Sequence, residues 1–302
     1  MTNKDEVQIP PKVNAAKIRI IIGHIVCLGV FFVPLTKELL IFALLGYFLR
    51  VFAYEGVAHR YFSHRSFKTT RVFQFALGVL QAASGQRGPI WWANHHRIHH
   101  KYSDGLLDPH SPVTRSFGYS FIGWLVDPAT AGTDFDGAKD LSRFPELVWL
   151  NRYHSIFLLV LLIACFLVGQ YTTLLGHVGL GTSAVIWLFF LPMLLAVYSA
   201  SIVNALMHGT RPGMFCQRRF ETGDTSTNCW WLAIPTMGAS FHNNHHRYMN
   251  AGRAGFYWWE LDLTYLVLKA LTYTGLIWDL KQVPEAILVE GLQADKATST
   301  QP

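Results

Sequence analysis

The sequence predicts an all-α integral membrane protein in which four transmembrane helices, arranged as two hairpins, carry a helical cytosolic cap that holds a di-metal centre. Three observations lead there. Hydrophobic residues make up 51% of the 302-residue chain and charged residues only 15%, too apolar for an ordinary soluble domain. Long apolar runs come in two pairs, each pair joined by a short connection. Histidines gather after the paired runs, and two of the clusters share the spacing His-x-x-His-His. The net charge of +6 is accounted for by cytoplasmic Lys and Arg, so no nucleic-acid partner is expected.

Residues 1–17 read as a polar tail without the apolar core and cleavage site of a removable leader, so the first apolar run is expected to remain as an anchor. The first hairpin, 18–54, contains a run from Ile20 to Leu35, a break at Pro34 to Glu38 and a second run from Leu39 to Tyr54. Each run is near the lower limit of the roughly 17–25 residues that a spanning helix needs. Arg50 can snorkel from the end of the second run to a charged interface. Residues 55–152 turn polar and aromatic, with one helix candidate at Val72 to Ala83, and form the first part of the cap. The second hairpin, 153–203, pairs Ile156 to Gln170 with Ala184 to Val203 through a connection free of charged residues. Residues 204–285 form the second part of the cap, with Phe256 to Trp278 expected as an amphipathic interfacial helix, and 286–302 form a C-terminal tail.

The two hairpin connections share one Lys, whereas the tail, cap and C-terminal region are basic. The positive-inside rule therefore puts both termini and the cap in the cytoplasm, beneath a bacterial inner membrane or an ER-type membrane. Cys27, Cys165, Cys216 and Cys229 contain no CxxC pair, and no disulfide framework is expected.

Four histidine sites lie on that cytoplasmic side. His59 and His64 are five residues apart, which turns them by about 140° on an ideal helix, so they meet only where the helix ends or bends. His96, His99 and His100 fall within one arc of a helix, and His242, His245 and His246 repeat their spacing. Asn204 and His208 share a face at the end of the fourth span. Nine imidazoles exceed what one tetrahedral zinc needs and suit two metals, with Asn204 completing one shell directly or through water. A solvated polar face explains any one cluster alone, but not the recurrence of the set.

The order His-x4-His, His-x2-His-His, Asn-x3-His, His-x2-His-His resembles the membrane fatty acid desaturase superfamily, in particular its Δ9 (stearoyl-CoA desaturase-like) branch. The surroundings His59-Arg60-Tyr61-Phe62-Ser63-His64-Arg65-Ser66, Asp108-Pro109-His110 and Phe241-His242-Asn243-Asn244-His245-His246 are similar too, and the match runs from about Leu39 to about Asp279. The resemblance implies that the nine histidines bind a non-haem di-iron centre beneath a mushroom-shaped cap, and that the enzyme inserts a cis double bond into a long-chain acyl-CoA or acyl-lipid. Two positions depart from the pattern. Asn94-His95 stands where animal acyl-CoA members carry Arg-Asp, and Gly238-Ala239-Ser240 where the family often has Gly-Glu-Gly.

Residue chemistry agrees. Taking hydrogen from an unactivated methylene requires a redox-active metal, which excludes zinc and favours iron. Dioxygen accepts four electrons, the substrate supplies two, and the other two must come from an external ferredoxin, rubredoxin or cytochrome b5 with its reductase. No His-Pro-Gly-Gly signature of a fused haem domain is present. Asp104, Asp108 and His110 are expected as hydrogen-bond partners around the metal ligands. Trp91, Asn94, His95, Trp230 and Trp231 are candidates for substrate contact, the tryptophans serving alternatively as headgroup-level anchors. Arg218, Arg219, Lys68 and Arg71 are candidates for a phosphorylated head group or an acidic donor, against plain positive-inside bias. Hydroxylation at the same centre is the neighbouring alternative. A histidine-rich metal transporter, from another class, predicts polar ligands at mid-membrane, which the apolar runs lack.

Overall fold

The computed structural model describes residues 15–209 and 215–299. The chain is mainly helical. In order come α1 (Ala15–Cys27), α2 (Lys37–Ser63), α3 (Arg71–Ala82), α4 (Pro89–Tyr102), α5 (Pro145–Tyr171), α6 (Gly181–Gly209), α7 (His242–Arg247), α8 (Leu263–Tyr273) and α9 (Glu285–Ser299). Two short strands, β1 (Lys68–Thr69) and β2 (Ile277–Trp278), pair antiparallel with Lys68 opposite Trp278.

Three helices, α2, α5 and α6, are long and apolar enough to cross a membrane. Four such spans were expected. The first run falls short because α1 has 13 residues and then tightens into a four-residue 3-10 turn, Leu28–Phe31, before Pro34. Side chains such as Ile21, Ile25, Ile41, Leu45, Ile163 and Leu167 are exposed on the outer faces of α1, α2 and α5. So large an apolar belt is stable against lipid rather than water.

Local chemistry sets the helix limits. Thr36 caps α2 by accepting from Leu39 N (3.1 Å), Thr70 caps α3, and Pro89 and Pro145 open α4 and α5 where a missing N–H costs nothing. Thr36 also donates to Leu175 O (2.7 Å), tying the α1–α2 connection to the α5–α6 connection at one end of the bundle. Helix α5 kinks at Tyr153 (φ −112°, ψ 21°), close to where its apolar run begins. In α6 the residues Val185–Phe190 adopt a π-helix just ahead of Pro192, which cannot donate to the ladder.

The remaining elements pack on the other end of α2, α5 and α6. Val51 and Phe62 of α2 meet Ile90 of α4, Leu147 and Leu150 of α5 and Leu268 of α8 in one buried core. Asp140 clamps the junction of α2 and α4 by accepting from Arg65 Nε (3.0 Å) and Arg97 Nη1 (2.7 Å), while Arg97 also donates to the Phe62 and Ser63 carbonyls.

Several expectations are corrected here. The segment Phe256 to Trp278 is helical only over α8, because Glu260 and Asp262 are buried structural acceptors rather than a polar helix face. Asp262 takes Arg60 Nη2 (3.1 Å) and Ala254 N (2.7 Å) and caps α8 through Tyr265 N (2.8 Å). No disulfide was expected, but Cys216 and Cys229, both buried, form one beside the antiparallel bridge Gln217↔Asn228. The expected C-terminal tail is occupied by α9, held by Arg247 on Glu290 and Arg219 on Asp295. Residues 1–14 of the expected N-terminal tail lie outside the described residues, as do 300–302. Of the basic residues singled out, Lys68 pairs with Asp279, Arg71 with Glu146, Arg219 with Glu260 and Asp295, and Arg218 donates to the Thr222 and Asp224 carbonyls.

Candidate metal centre

From Ala53 to Ser63 helix α2 winds as a π-helix. Its i→i+5 register, seen in the bond from His64 N to His59 O (3.2 Å), stacks residues five apart, and the two imidazole centroids lie 4.9 Å from each other. Helix α4 sends His96 and His100 to one side, with their Nε2 atoms 3.0 Å apart, and His99 to the other. Helix α7 divides its histidines likewise: His242 and His246 converge (Nε2 to Nε2 3.0 Å), and His245 points away from them. Its approach is set by Gly238, whose φ of +99° and whose missing Cβ, otherwise 2.7 Å from Asp262 Cγ, let the chain turn into α7.

Two groups result. His59, His64, His96, His100 and His245 form one, and His99, His208, His242 and His246 the other, with the candidate ligand atoms of each group all within 4.8 Å. Every one of the nine expected histidines is in one group or the other. Helices α4 and α7 each contribute to both, so the two groups are adjoining parts of one buried centre.

Carboxylates aim the rings. Nδ1 donates to Glu55 from His59 (2.8 Å), to Asp108 from His99 (2.9 Å), to Asp104 from His208 (3.1 Å) and to Asp224 from His246 (2.6 Å). A proton fixed on Nδ1 leaves the Nε2 lone pair facing inward, the orientation that metal-binding histidines take. The inward Nε2 atoms lie close together: His59 to His245 is 2.8 Å, His64 to His96 is 2.8 Å, and His208 to His242 is 2.9 Å. His99 Nε2 is buried with no hydrogen-bond partner among the described residues. Lone pairs so disposed repel one another unless a cation lies between them, and a separation near 3 Å is what two nitrogens about 2.1 Å from a shared ion adopt. The residues present therefore fit a pair of metal ions.

Protonation agrees with that fit. Burial first, then the neighbouring imidazoles, push His96, His100, His242 and His245 well below the usual histidine range, and burial takes His246 down to about 4 against the pull of Asp224. Near neutral pH they carry no proton that a metal must displace. Burial opposes ionisation of Asp104, but hydrogen bonds from His208 and Thr225 hold its carboxyl at about 2, and Asp108 and Asp224 are likewise held low by His99 and His246.

A chamber of about 50 Å³ borders the centre between His59, His96 and His242, with Tyr54, Asn204 and Ala239 on its walls. It shares Trp91, Trp92, Trp124 and Asn204 with a second cavity of about 180 Å³ that runs between α1, α5 and α6 past Ile20, Leu158, Met193 and Val197. Asn204 lies at the junction of the two, one turn before His208. Trp91 lines both cavities. His95 is buried, lines the chamber and donates to Trp91 O (2.9 Å). Asn94 is buried but lines neither cavity, and packs instead against Gly137. Trp230 and Trp231 are 66% and 46% exposed and border neither cavity. The ring of His110 lies tilted against His99, centroids 4.4 Å apart, and its backbone N–H donates to Asp108, while its Nδ1 has no hydrogen-bond partner among the described residues.

Glu55 and Asp224 were not anticipated. Glu55 lies one helical turn before His59, a spacing that reveals it in retrospect, whereas Asp224 comes from a loop 22 positions before His246 with no local signal.

Comparison with known proteins follows the same line. The model of the fatty acid desaturase family matches residues 38–279. An sn-1 stearoyl-lipid 9-desaturase of Anabaena variabilis is 35% identical over 224 residues, covering 74% of this chain and 76% of that protein. An acyl-CoA C20 Delta5-desaturase of Anemone leveillei is 33% identical over 87% of this chain and 80% of its own length, and a hex-5-enoyl-[acyl-carrier protein] acetylenase of Moorena producens is 33% identical over 77% and 73%. With a family model spanning most of its length, three apolar helices of membrane-spanning size and two histidine groups fit to hold metal, this chain is an integral membrane protein that belongs to the fatty acid desaturase family.

Proposed function

We propose that the protein is an O2-dependent acyl desaturase that introduces a cis double bond, at Δ9, into a long-chain acyl group carried by CoA or by a lipid. The observation that carries this reading is the convergence of two imidazole groups, five and four strong, on the inner end of an apolar cavity. The nine histidines would hold two iron ions, with Asn204 reaching one of them directly or through water. Bound iron supplies the one chemistry that the side chains lack, activation of O2 to an oxidant able to take hydrogen from a methylene.

The chain's own residues do the rest. Glu55, Asp104, Asp108 and Asp224 keep the rings neutral at Nε2 and fixed in orientation. Ile20, Leu158, Met193 and Val197 offer an apolar path for the acyl chain, and the narrow chamber under His59, His96 and His242 brings one methylene up to the centre, which is how position along the chain is selected. Buried walls exclude bulk water from that methylene. Two electrons per turnover come from a ferredoxin, rubredoxin or cytochrome b5. Helix α1, extended by its 3-10 turn, makes a fourth crossing, and the elements that bear the histidines form a cytosolic cap together with both termini.

The test is direct. Iron-loaded protein in nanodiscs, given a donor system, O2 and C16 or C18 acyl substrates as CoA esters and as glycerolipids, is expected to yield the Δ9 monoene. A hydroxylated product, or no oxidised product from any carrier, would overturn the reading.

A further inference from the structure

The chamber beside the metal centre is walled in part by oxidisable rings. Trp91, Trp92 and Trp124 all line it, and all three continue into the apolar cavity. An indole gives up an electron more readily than a methylene or an imidazole does. A centre able to take hydrogen from an acyl chain is therefore able to oxidise a tryptophan held at the same distance, and proximity and surroundings decide which one.

Trp92 is the nearest. Its ring stacks on His96, with centroids 5.0 Å apart at 30°, and lies 6.1 Å from the ring of His59, so it meets two members of the five-histidine group. Packing against the buried core of α2, α4, α5 and α8 holds it there. Trp91 and Trp124 reach His95 (4.4 Å) and His110 (4.9 Å), which belong to neither group. Surroundings separate the three further. Oxidation leaves positive charge on the indole, and a hydrogen bond from its N–H to an oxygen stabilises that charge. Trp92 Nε1 donates to Gln86 Oε1 (3.1 Å). Trp124 Nε1 is buried without a partner among the described residues, and the guanidinium of Arg87 lies 4.6 Å from the Trp91 ring centroid, where its charge opposes a second one.

We propose that Trp92 is an oxidative guard: when the chamber holds no acyl chain, its indole takes the oxidising equivalents that otherwise reach the histidine ligands, and it becomes hydroxylated. The balance is that of a monooxygenation. One oxygen atom of O2 enters an indole C–H bond, and the other leaves as water with two electrons from the donor and two protons. With hydrogen peroxide as oxidant, the indole and H2O2 give hydroxyindole and water, and no donor is needed. An acyl chain in the chamber supplies the hydrogen instead and spares the ring. The O2 step rests on the oxidative reading above, whereas the peroxide step needs bound iron alone.

The experiment adds hydrogen peroxide to the Fe(II)-loaded full chain in nanodiscs, without acyl substrate or donor, and maps gained oxygen by peptide mass spectrometry. Dissolved peroxide by itself attacks tryptophans in order of exposure, which puts Trp258 (88% exposed) and Trp230 (66%) first. In the iron-loaded protein Trp92 is expected to gain at least about tenfold more oxygen than either, the advantage of a group held beside its oxidant, and to lose that lead after chelation. Trp92→Phe should raise oxygen gain at His59 and His96 severalfold, and Trp92→Tyr, which restores an oxidisable ring, should bring it back toward the parent level. Oxidation that follows exposure in the iron-loaded protein, or ligand oxidation unchanged by Trp92→Phe, overturns the assignment. Stearoyl-CoA or a stearoyl glycerolipid is expected to protect Trp92. Oxidation of Trp92 that neither ligand suppresses would count against the acyl-substrate reading while supporting the guard.

Discussion

Glu55 and Asp224 do the same chemical work on opposite sides of the centre. Each accepts the Nδ1 proton of one histidine, so each change should loosen one metal and spare the other. Glu55→Ala is expected to weaken metal binding in the five-histidine group, and Asp224→Ala in the four-histidine group, by about 10–100-fold, the usual effect of removing such a partner. Metal content per chain after a graded chelator challenge is the measurement; simultaneous loss of both metals from either variant would contradict it. Glu55 also accepts from Arg60, which is buried between Glu55 and Asp262. Arg60→Ala leaves two buried carboxylates without their cation and should destabilise the protein by about 3–5 kcal/mol, seen as a lowered unfolding transition in detergent. At this scale the sequence was most legible where chemistry recurs at fixed spacing, since the nine histidines could be named from their pattern. It was least legible where a partner comes from elsewhere in the chain. Asn243 and Asn244, between the histidines of α7, are an instance: their side chains hold the Arg219–Phe220 backbone and Glu260, contacts that no spacing announces.

At the scale of elements, what the period of the sequence concealed was register. A 3.6-residue helix separates His59 from His64, and the π-helix from Ala53 to Ser63 reunites them. Nothing in an apolar run tells an i→i+4 ladder from an i→i+5 one, so only the need for a bend could be foreseen. The end of that π-helix is held on α4 by the Arg65–Asp140–Arg97 clamp. Burial raises the Asp140 carboxyl, but hydrogen bonds and charge from Arg97 and Arg65 outweigh it and hold it at about 2. A depressed carboxylate stabilises the fold above the unfolded value near 4 and loses that contribution as pH falls through about 2. Thermal stability in detergent should therefore decline between about pH 4 and pH 2, and Asp140→Asn should flatten that part of the profile; an unchanged acid limb would count against the clamp. The Cys216–Cys229 link was missed because its partners approach only through the Gln217↔Asn228 bridge. Closing a loop with a sequence separation of 13 stabilises by about 3 kcal/mol when little structure survives unfolding, so Cys229→Ser should lower the unfolding midpoint measurably, and a midpoint that does not move would show that the bridge alone fixes this loop.

For the whole molecule, orientation follows from which ends of the helices meet. The bond from Thr36 to Leu175 puts the α1–α2 and α5–α6 connections together, and Arg19, Arg87 and His154 on a shared cavity put the start of α1 beside the histidine-bearing elements. Helix α1 therefore runs from the histidine-bearing end toward the connections, in a direction opposite to α2, and its 13 residues and 3-10 turn leave it shorter than its neighbours. A short apolar helix can still cross where the bilayer thins or where flanking basic side chains reach outward to the interface. The basic residues favour the cytoplasm for the histidine-bearing end. Single cysteines at Lys37→Cys and Val178→Cys, both in exposed positions in or beside the connections, are then expected to react with a membrane-impermeant maleimide on intact cells, and Asp136→Cys and an N-terminal tag only after lysis. Labelling of the tag from outside would mean that α1 does not cross. Labelling of Asp136→Cys from outside would invert the whole arrangement and put the metal centre out of reach of a cytosolic electron donor.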